Sequence, residues 1–230
     1  MHPLLFDAVP VYFVMWACAA VTAVVVGGYL GARAGFPAAR SAVAIVLLAF
    51  SVLAGPKLLY VAEAYWFPFD DYVPQSVRTP FHGFRIPGGV LLLAATMPLV
   101  CGVLKLPWRR FGDTAIPLVA LALVFIRLGC FLNGCCFGKL SALPWAIAFP
   151  HGSWVFWYQR SKGWVTRDAT VSLPVHPLQL YFVLAACATL GVLLWLQRQR
   201  HPPAYHQAIF YALFFDLVST EFSEAQGTSS

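Results

Sequence analysis

Long apolar runs are the feature that most constrains the fold of this chain. Residues 11–32 form 22 consecutive positions without a charge. A helix of that length rises about 33 Å, enough to cross a hydrocarbon layer of about 30 Å. Similar runs begin near residues 42, 86, 114, 176 and 208. They predict an all-α, polytopic membrane protein with about six transmembrane helices and two extracytoplasmic connections.

The composition is also typical of a membrane protein. Only 10% of the residues are charged, whereas soluble proteins carry about 25%. A net charge of +6 would suggest a nucleic-acid partner in a soluble domain, but here the basic residues lie in loops, so topology explains them and no nucleic acid is expected. We expect residues 1–222 to form a single integral membrane domain and residues 223–230 to form a disordered tail.

Basic residues in the short turns predict the orientation. The turns after the first, third and fifth runs contain two, three and two basic residues, namely Arg33, Arg40, Lys105, Arg109, Arg110, Arg198 and Arg200. With six spans these turns share one face, which the positive-inside rule makes cytoplasmic. The N-terminus and the connections 67–85 and 132–175 are then expected outside.

The segment from Arg127 to Gly138 is the strongest candidate for a site. Arg127 closes an apolar run, and a guanidinium within a membrane is costly unless a partner compensates its charge. The glycines that follow, with Asn133, predict a turn in which backbone or a ligand approaches closely. We therefore expect an anion site there, with phosphate as the anion. The alternative is that Arg127 extends to the interface and the glycines only pack helices.

Other polar residues lie at the predicted outer ends of the spans. Lys57, with Glu63 as its candidate partner, interrupts the second run beside Pro56. His82 precedes the third run and His176 opens the fifth. A histidine there could act as general base near neutral pH, although a histidine before proline is also common at a helix start. On the cytoplasmic side, Asp113 is expected to be the N-cap of the fourth helix.

Three of the six cysteines, Cys130, Cys135 and Cys136, lie close together in the sequence. Their spacing differs from that of paired zinc-ligand motifs, so we expect them to be structural or pocket-lining, with no metal and no cofactor. The alternatives are a tetrahedral zinc site completed by a histidine, a disulfide between two of the cysteines, and a nucleophilic thiol activated by Arg127.

Several short blocks occur in an order that resembles one family. They are Tyr12 in the first run, Ala54-Gly-Pro-Lys-Leu-Leu-Tyr60, Gly88-Gly89, Arg127-Leu-Gly-Cys-Phe-Leu-Asn-Gly134, Trp145-Ala-Ile-Ala-Phe-Pro150 and His176-Pro-Leu-Gln-Leu-Tyr181. In this order they resemble the prolipoprotein diacylglyceryl transferases, over residues 10–222. The most specific blocks begin at Arg127 and His176.

The resemblance implies a bacterial inner-membrane enzyme. Its family moves the diacylglyceryl group of phosphatidylglycerol onto the thiol of a lipobox cysteine in a preprolipoprotein. Arg127 would then bind the phospholipid, with His82 and His176 as catalytic candidates. The other expected substrate-binding residues are Lys57, Tyr12, Gly88, Gly89, Asn133 and Gly138.

The chain also departs from the family pattern. Pro87 stands where the family motif has histidine, Lys57 where it has arginine, and Cys130 and Cys135 where it has asparagine and glutamate. Leu217 stands at the arginine position of the last run, whereas Glu221 matches the family glutamate. The alternative function is therefore a non-catalytic or altered paralogue that binds a phospholipid or a lipidated peptide.

Overall fold

The computed structural model describes residues 4–5, 9–66, 86–166 and 168–199. Within them, two strands of two residues each pair antiparallel near the N-terminus, and six helices follow. The elements are β1 (Leu4–Leu5), β2 (Val9–Pro10), α1 (Val11–Arg33), α2 (Ala38–Trp66), α3 (Ile86–Val103), α4 (Trp108–Asn133), α5 (Trp154–Ser161) and α6 (Leu178–Arg198).

The predicted membrane architecture is confirmed over the described residues. Four helices there, α1, α2, α4 and α6, are long and apolar enough to cross a membrane, and the apolar stretch Gly88–Val103 of α3 is shorter. Side chains such as Phe50, Leu99 and Leu184 are more than 60% exposed, which suits a surface in contact with lipid. The predicted sixth span (208–222), the connection 67–85 and the tail 223–230 lie outside the described residues.

The described chain divides into two compact units. The first contains residues 4–5, 9–23, 117–166 and 168–195, and the second contains residues 24–66, 86–116 and 196–199. The expected single membrane domain over residues 1–222 stays a prediction.

Two turns of the second unit are built in the same way. After α1, Gly35 adopts a positive φ of 80°, and Phe36 N–H donates to the carbonyl of Gly31 (3.0 Å). After α3, Lys105 takes the same conformation (φ 55°), and the next N–H likewise reaches back into the helix. Both are Schellman helix ends, and a proline follows each one. The repeated turn explains why both connections are short.

Arg110 joins these two turns. Its Nη2 donates to the carbonyl of Ala34 (3.0 Å), and its guanidinium lies 5.5 Å from the centroid of the Phe36 ring. Phe36 in turn meets Phe111 edge to face at 5.7 Å. The first two basic turns therefore lie on the same face, as predicted, while the side of the membrane on which they lie stays a prediction.

The prediction for Asp113 is wrong. Helix α4 begins at Trp108, directly after Pro107, and the N–H of Phe111 already donates to the carbonyl of Pro107 (2.9 Å). Asp113 therefore lies inside the helix, where only 8% of its surface is exposed, and it caps nothing. Its carbonyl accepts a hydrogen bond from Gln197 Nε2 (2.7 Å).

Glycines bring α2 and α3 into backbone contact. A Cβ on Gly55 would overlap the backbone of Gly88, and a Cβ on Gly89 would lie 3.0 Å from the carbonyl oxygen of Val52. That carbonyl is the one that Pro56, which lacks an N–H, leaves without its helical donor. The close approach of α3 thus occurs where the proline interrupts the hydrogen bonding of α2.

The connection 132–175, in the first unit, is folded. Phe149, Val155 and Val175 form a buried cluster, and Phe131, Phe137 and Ile147 pack against it. Gln159 is fully buried and binds Leu173 twice, donating from Nε2 to its carbonyl (3.2 Å) and accepting its N–H at Oε1 (2.7 Å). Short bridges join Leu140 and Ile147 to Val175. The connection therefore has a core of its own.

We predict that Gly88→Ala destabilises the protein, because the new methyl group would overlap Gly55 and lie 2.6 Å from the Cβ of Leu59. Overpacking of this kind costs about 1–3 kcal/mol, so the thermal midpoint in detergent should fall by several degrees. The matched control is Gly102→Ala in the same helix, where a Cβ meets nothing within 4 Å. Equal midpoints for the two variants would contradict a packing role for Gly88.

Candidate functional site

The C-terminal end of α4 brings Arg127 and the three clustered cysteines close together. Gly134 has a φ of 69°, and its N–H donates to the carbonyl of Phe131 (3.2 Å) while that of Cys135 donates to the carbonyl of Cys130 (3.1 Å). This is again a Schellman end. It reverses the chain immediately after Asn133, so Cys135 returns to the last turn of the helix.

Gly134 is required at this reversal for two reasons. Its positive φ disfavours other residues, and a Cβ would lie 2.8 Å from the Cβ of Ser153. Ser153 itself caps helix α5, with its hydroxyl oxygen accepting the N–H of Phe156 (3.3 Å). The end of α4 is thereby fixed against the start of α5.

Arg127 is buried one turn before Cys130, with 3% of its surface exposed. Its guanidinium carbon lies 4.4 Å from the centroid of the Phe182 ring on α6, a cation–π contact. The alternative that Arg127 extends to the interface is therefore not what the structure has. The guanidinium thus lies over an aromatic ring, and its N–H groups are of the kind that bind a phosphate in pairs.

The three clustered thiols lie together beside this arginine. The Sγ atoms of Cys130, Cys135 and Cys136 are all within 4.8 Å of one another, and each thiol is free. Cys130 is buried, Cys135 is half-buried and Cys136 is exposed. Hydrogen bonds from the other two thiols, with the charge of Arg127, hold the pKa of Cys136 well below its usual range. Hydrogen bonding to Cys130 and Cys136, with burial, raises the pKa of Cys135.

The start of α6 supports this end of α4. Gln179 is fully buried, and its Nε2 donates to the carbonyl of Cys135 (2.6 Å). Phe182, one turn later, is the residue over which Arg127 lies. Neither residue was among the predicted site residues. The available signal was the single amide side chain at position 179 within an apolar run.

His176 belongs to a chain of three polar groups. The indole N–H of Trp145 donates to the hydroxyl oxygen of Tyr181 (2.8 Å), and that oxygen lies 3.2 Å from Nδ1 of His176. Because the indole can only donate, the Tyr181 hydroxyl proton is available to Nδ1. The Tyr181 oxygen can also accept a second hydrogen bond, so this contact fits either neutral tautomer of His176. Trp145 comes from the quoted block 145–150, and His176 and Tyr181 come from the quoted block 176–181.

Gly138 lies directly against His176. Its N–H donates to the carbonyl of His176 (3.0 Å), and a Cβ there would lie 2.8 Å from the Cβ of that histidine. The space beside Gly138 is therefore filled by protein atoms, as it is beside Gly134. The predicted contact of Gly138 with a substrate stays a prediction.

The remaining predicted residues lie in other helices, at the end of α4, or outside the described residues. Lys57 is in the second unit, with Nζ 5.1 Å from the centroid of the Tyr60 ring, and Gly88 and Gly89 lie in the packed α2–α3 contact. Tyr12 is in the first turn of α1, and its side chain is outside the described part. Asn133 is the half-buried last residue of α4. His82, Leu217 and Glu221 lie outside the described residues.

Comparison with known proteins gives one family. The family model described as prolipoprotein diacylglyceryl transferase matches residues 4–220. A Clostridium tetani protein is 30% identical over 156 residues, 68% of this chain and 56% of its own length. One from Idiomarina loihiensis is 33% identical over 152 residues, 64% of this chain and 49% of its own length.

Both relatives are named phosphatidylglycerol–prolipoprotein diacylglyceryl transferase. The chain spans about half the length of the curated relatives it matches. The family match, in contrast, extends over nearly all of this chain, including α4 with Arg127 and the start of α6. The chain therefore belongs to the prolipoprotein diacylglyceryl transferase family.

Proposed function

We propose that this chain transfers the diacylglyceryl group of phosphatidylglycerol to the thiol of a lipobox cysteine in a preprolipoprotein. The observation that carries the proposal is the buried Arg127 at the end of an apolar helix, in a chain whose relatives are named for this transfer. The site of action is the bacterial inner membrane, among membrane lipids that include the donor.

Arg127 binds the phosphate of the donor lipid in this proposal. A guanidinium in apolar surroundings is stabilised by an anion, and the phosphate of a phospholipid headgroup is the abundant anion at the membrane surface. The guanidinium lies over the Phe182 ring, and its N–H groups can bind two phosphate oxygens in a pair. Tyr12, Asn133 and Gly138 of the first unit would complete the lipid site, and the substrate-binding roles expected for Lys57, Gly88 and Gly89 in the second unit stay predictions.

The reaction needs a deprotonated acceptor and a stabilised leaving group. The acceptor sulfur forms a C–S bond to the glyceryl carbon while the C–O bond to phosphate breaks, which releases glycerol phosphate. Arg127 stabilises the charge on that phosphate as it leaves. The proton of the acceptor thiol passes to a general base, and no electron is gained or lost overall.

His176 is the base candidate among the described residues. Its Nδ1 faces the hydroxyl of Tyr181, so a proton can reach the imidazole through that hydroxyl. Trp145 orients the tyrosine by donating to the same oxygen. His82 stays the second base candidate.

A specific observation favours a second candidate function. Thiols of Cys130 and Cys135 stand where the family has asparagine and glutamate, and Pro87 stands where it has histidine. A chain that kept the phosphate site and lost the base would bind a phospholipid or a lipidated peptide without transfer. Retained phosphatidylglycerol without any thioether product would identify that function.

We predict that Arg127→Lys keeps the fold and loses most lipid binding and turnover, whereas Arg127→Ala abolishes both. Lysine supplies the charge without the planar pair of donors, and a charge-assisted contact of this kind contributes about 1.5–3 kcal/mol, or roughly 10- to 150-fold. The measurements are co-purified phosphatidylglycerol and transfer of labelled diacylglycerol to a lipobox peptide.

The matched control for this experiment is Arg109→Ala. Arg109 lies at the other end of the same helix, where it is exposed beside Trp108. Its loss should leave lipid binding and transfer near the wild-type level. If Arg127→Ala also keeps lipid binding and transfer near that level, Arg127 has no role in binding the phospholipid.

We predict that His176→Gln lowers transfer by about 10²- to 10⁴-fold, the usual contribution of a general base, while phosphatidylglycerol still co-purifies. Tyr181→Phe, which removes the hydroxyl that faces Nδ1, should lower transfer less and shift its pH profile. His151→Gln is the control, because His151 is exposed in the connection and packs only against aromatic rings in the described contacts. Equal rates for the His176 and His151 variants would exclude His176 as the base.

A further inference from the structure

We propose that Cys130, Cys135 and Cys136 form a site for one thiophilic metal ion of the zinc class, with one coordination position left for an exogenous thiol. Their spacing led us to expect no metal. The folded geometry revises that expectation, since the three Sγ atoms lie within 4.8 Å of one another. Zinc binds thiolate sulfur at about 2.3 Å, which places two sulfurs of a tetrahedral site roughly 3.8 Å apart.

The helix end is what assembles the three sulfurs. Because Gly134 reverses the chain, the N–H of Cys135 meets the carbonyl of Cys130 (3.1 Å), and its Sγ lies 3.7 Å from the same oxygen. Cys136 then adopts a left-handed φ of 58°, which is costly for a residue with a side chain. In this conformation the Sγ of Cys136 lies beside the Sγ atoms of Cys130 and Cys135.

The position also suits a cation electrostatically. The last carbonyls of a helix carry partial negative charge, so a cation near the C-terminal end of α4 is stabilised. Before either substrate binds, three thiolates and a divalent ion leave a net charge of −1, which the neighbouring Arg127 balances. A neutral assembly is the arrangement that buried, apolar surroundings favour.

The cluster is held before any ion binds. Gln179 fixes the loop through the carbonyl of Cys135 (2.6 Å), and Gly134 is packed against Ser153. Cys130 is buried in the helix whereas Cys136 as a residue is exposed, and the described cluster offers three ligand atoms, which leaves the fourth tetrahedral position to an exogenous group. Three protein ligands with an open fourth position are the arrangement of catalytic rather than structural zinc sites.

The open position gives the metal a role that rests on the proposed function. A thiol bound to such an ion is deprotonated and remains a nucleophile. The acceptor cysteine would bind there, lose its proton to a base, and then form the C–S bond as the C–O bond to phosphate breaks. The metal keeps its oxidation state throughout. This chemistry would come from positions 130 and 135, where the family has asparagine and glutamate.

The test uses the full chain in detergent with a non-thiol reductant. After equilibrium dialysis against buffered Zn²⁺, elemental analysis should give about one zinc per chain. The variant C130S/C135S/C136S should bind none, whereas the matched control C18S/C101S/C187S, which removes the three other cysteines, should keep it. Zinc absent from the wild type, or equal in both variants, would overturn the site.

A second measurement tests the metal site even if the triple variant does not fold. Co²⁺ bound to the wild type should show strong thiolate-to-cobalt charge-transfer absorption in the near ultraviolet, and Cys136→Ser alone should weaken it. A lipobox peptide with its cysteine should change the visible cobalt spectrum, and the same peptide with serine should not. Equal spectra for the two peptides would exclude the thiol position.

The two proposals fail separately. Zinc bound without any diacylglyceryl transfer would leave the metal site standing and remove the transferase function. Transfer at the wild-type rate by a zinc-free protein would remove the metal's role in activating the acceptor thiol and leave the transferase function standing.

Discussion

The burial of the Arg127 charge at the end of α4 is the interaction on which the described site depends. A cation at 3% exposure in an apolar helix must be met by polar or aromatic groups, and the centroid of the Phe182 ring lies 4.4 Å from its guanidinium carbon. That contact requires the start of α6 to lie against α4. The same part of α6 also holds the chain reversal, through Gln179 and the carbonyl of Cys135. The proposed phosphate site and the packing contact between α4 and α6 thus share the same few residues.

The thiols change the chemistry of this helix end. A carboxylate and an amide at these positions would bind protons and hydrogen-bond donors, whereas sulfur prefers soft cations and forms weak hydrogen bonds. In the described part of the chain, Cys130, Cys135 and Cys136 are the three ligand-type side chains that lie together. In the metal site that we propose, this composition would activate a thiol through a metal ion rather than through a carboxylate.

Much of the fold could be predicted from the sequence because membrane spans depend on length and hydrophobicity alone. Five predicted runs match α1, α2, α3, α4 and α6 within a few residues, except at the start of α4. There, Arg109 and Arg110 were assigned to the turn because of their charge, although they form the first turn of the helix. Asp113 was misplaced for the same reason.

The site could be predicted only in part. Arg127 and His176 were found because a charge or an imidazole is conspicuous next to an apolar run. The three thiols were singled out in the sequence, but their mutual approach was not expected to suit a metal, since linear spacing does not show that Gly134 takes a left-handed conformation and turns Cys135 back onto the helix. Phe182 was missed because an aromatic residue in an apolar helix carries no distinguishing signal.

The most direct test of the central claim is an experimental structure of the chain with bound phosphatidylglycerol. The account predicts that the phosphate oxygens lie within hydrogen-bonding distance of the Arg127 guanidinium, with His176 or His82 within hydrogen-bond reach of the bound headgroup directly or through one water. A headgroup bound away from Arg127, with the Phe182 contact unchanged, would contradict it.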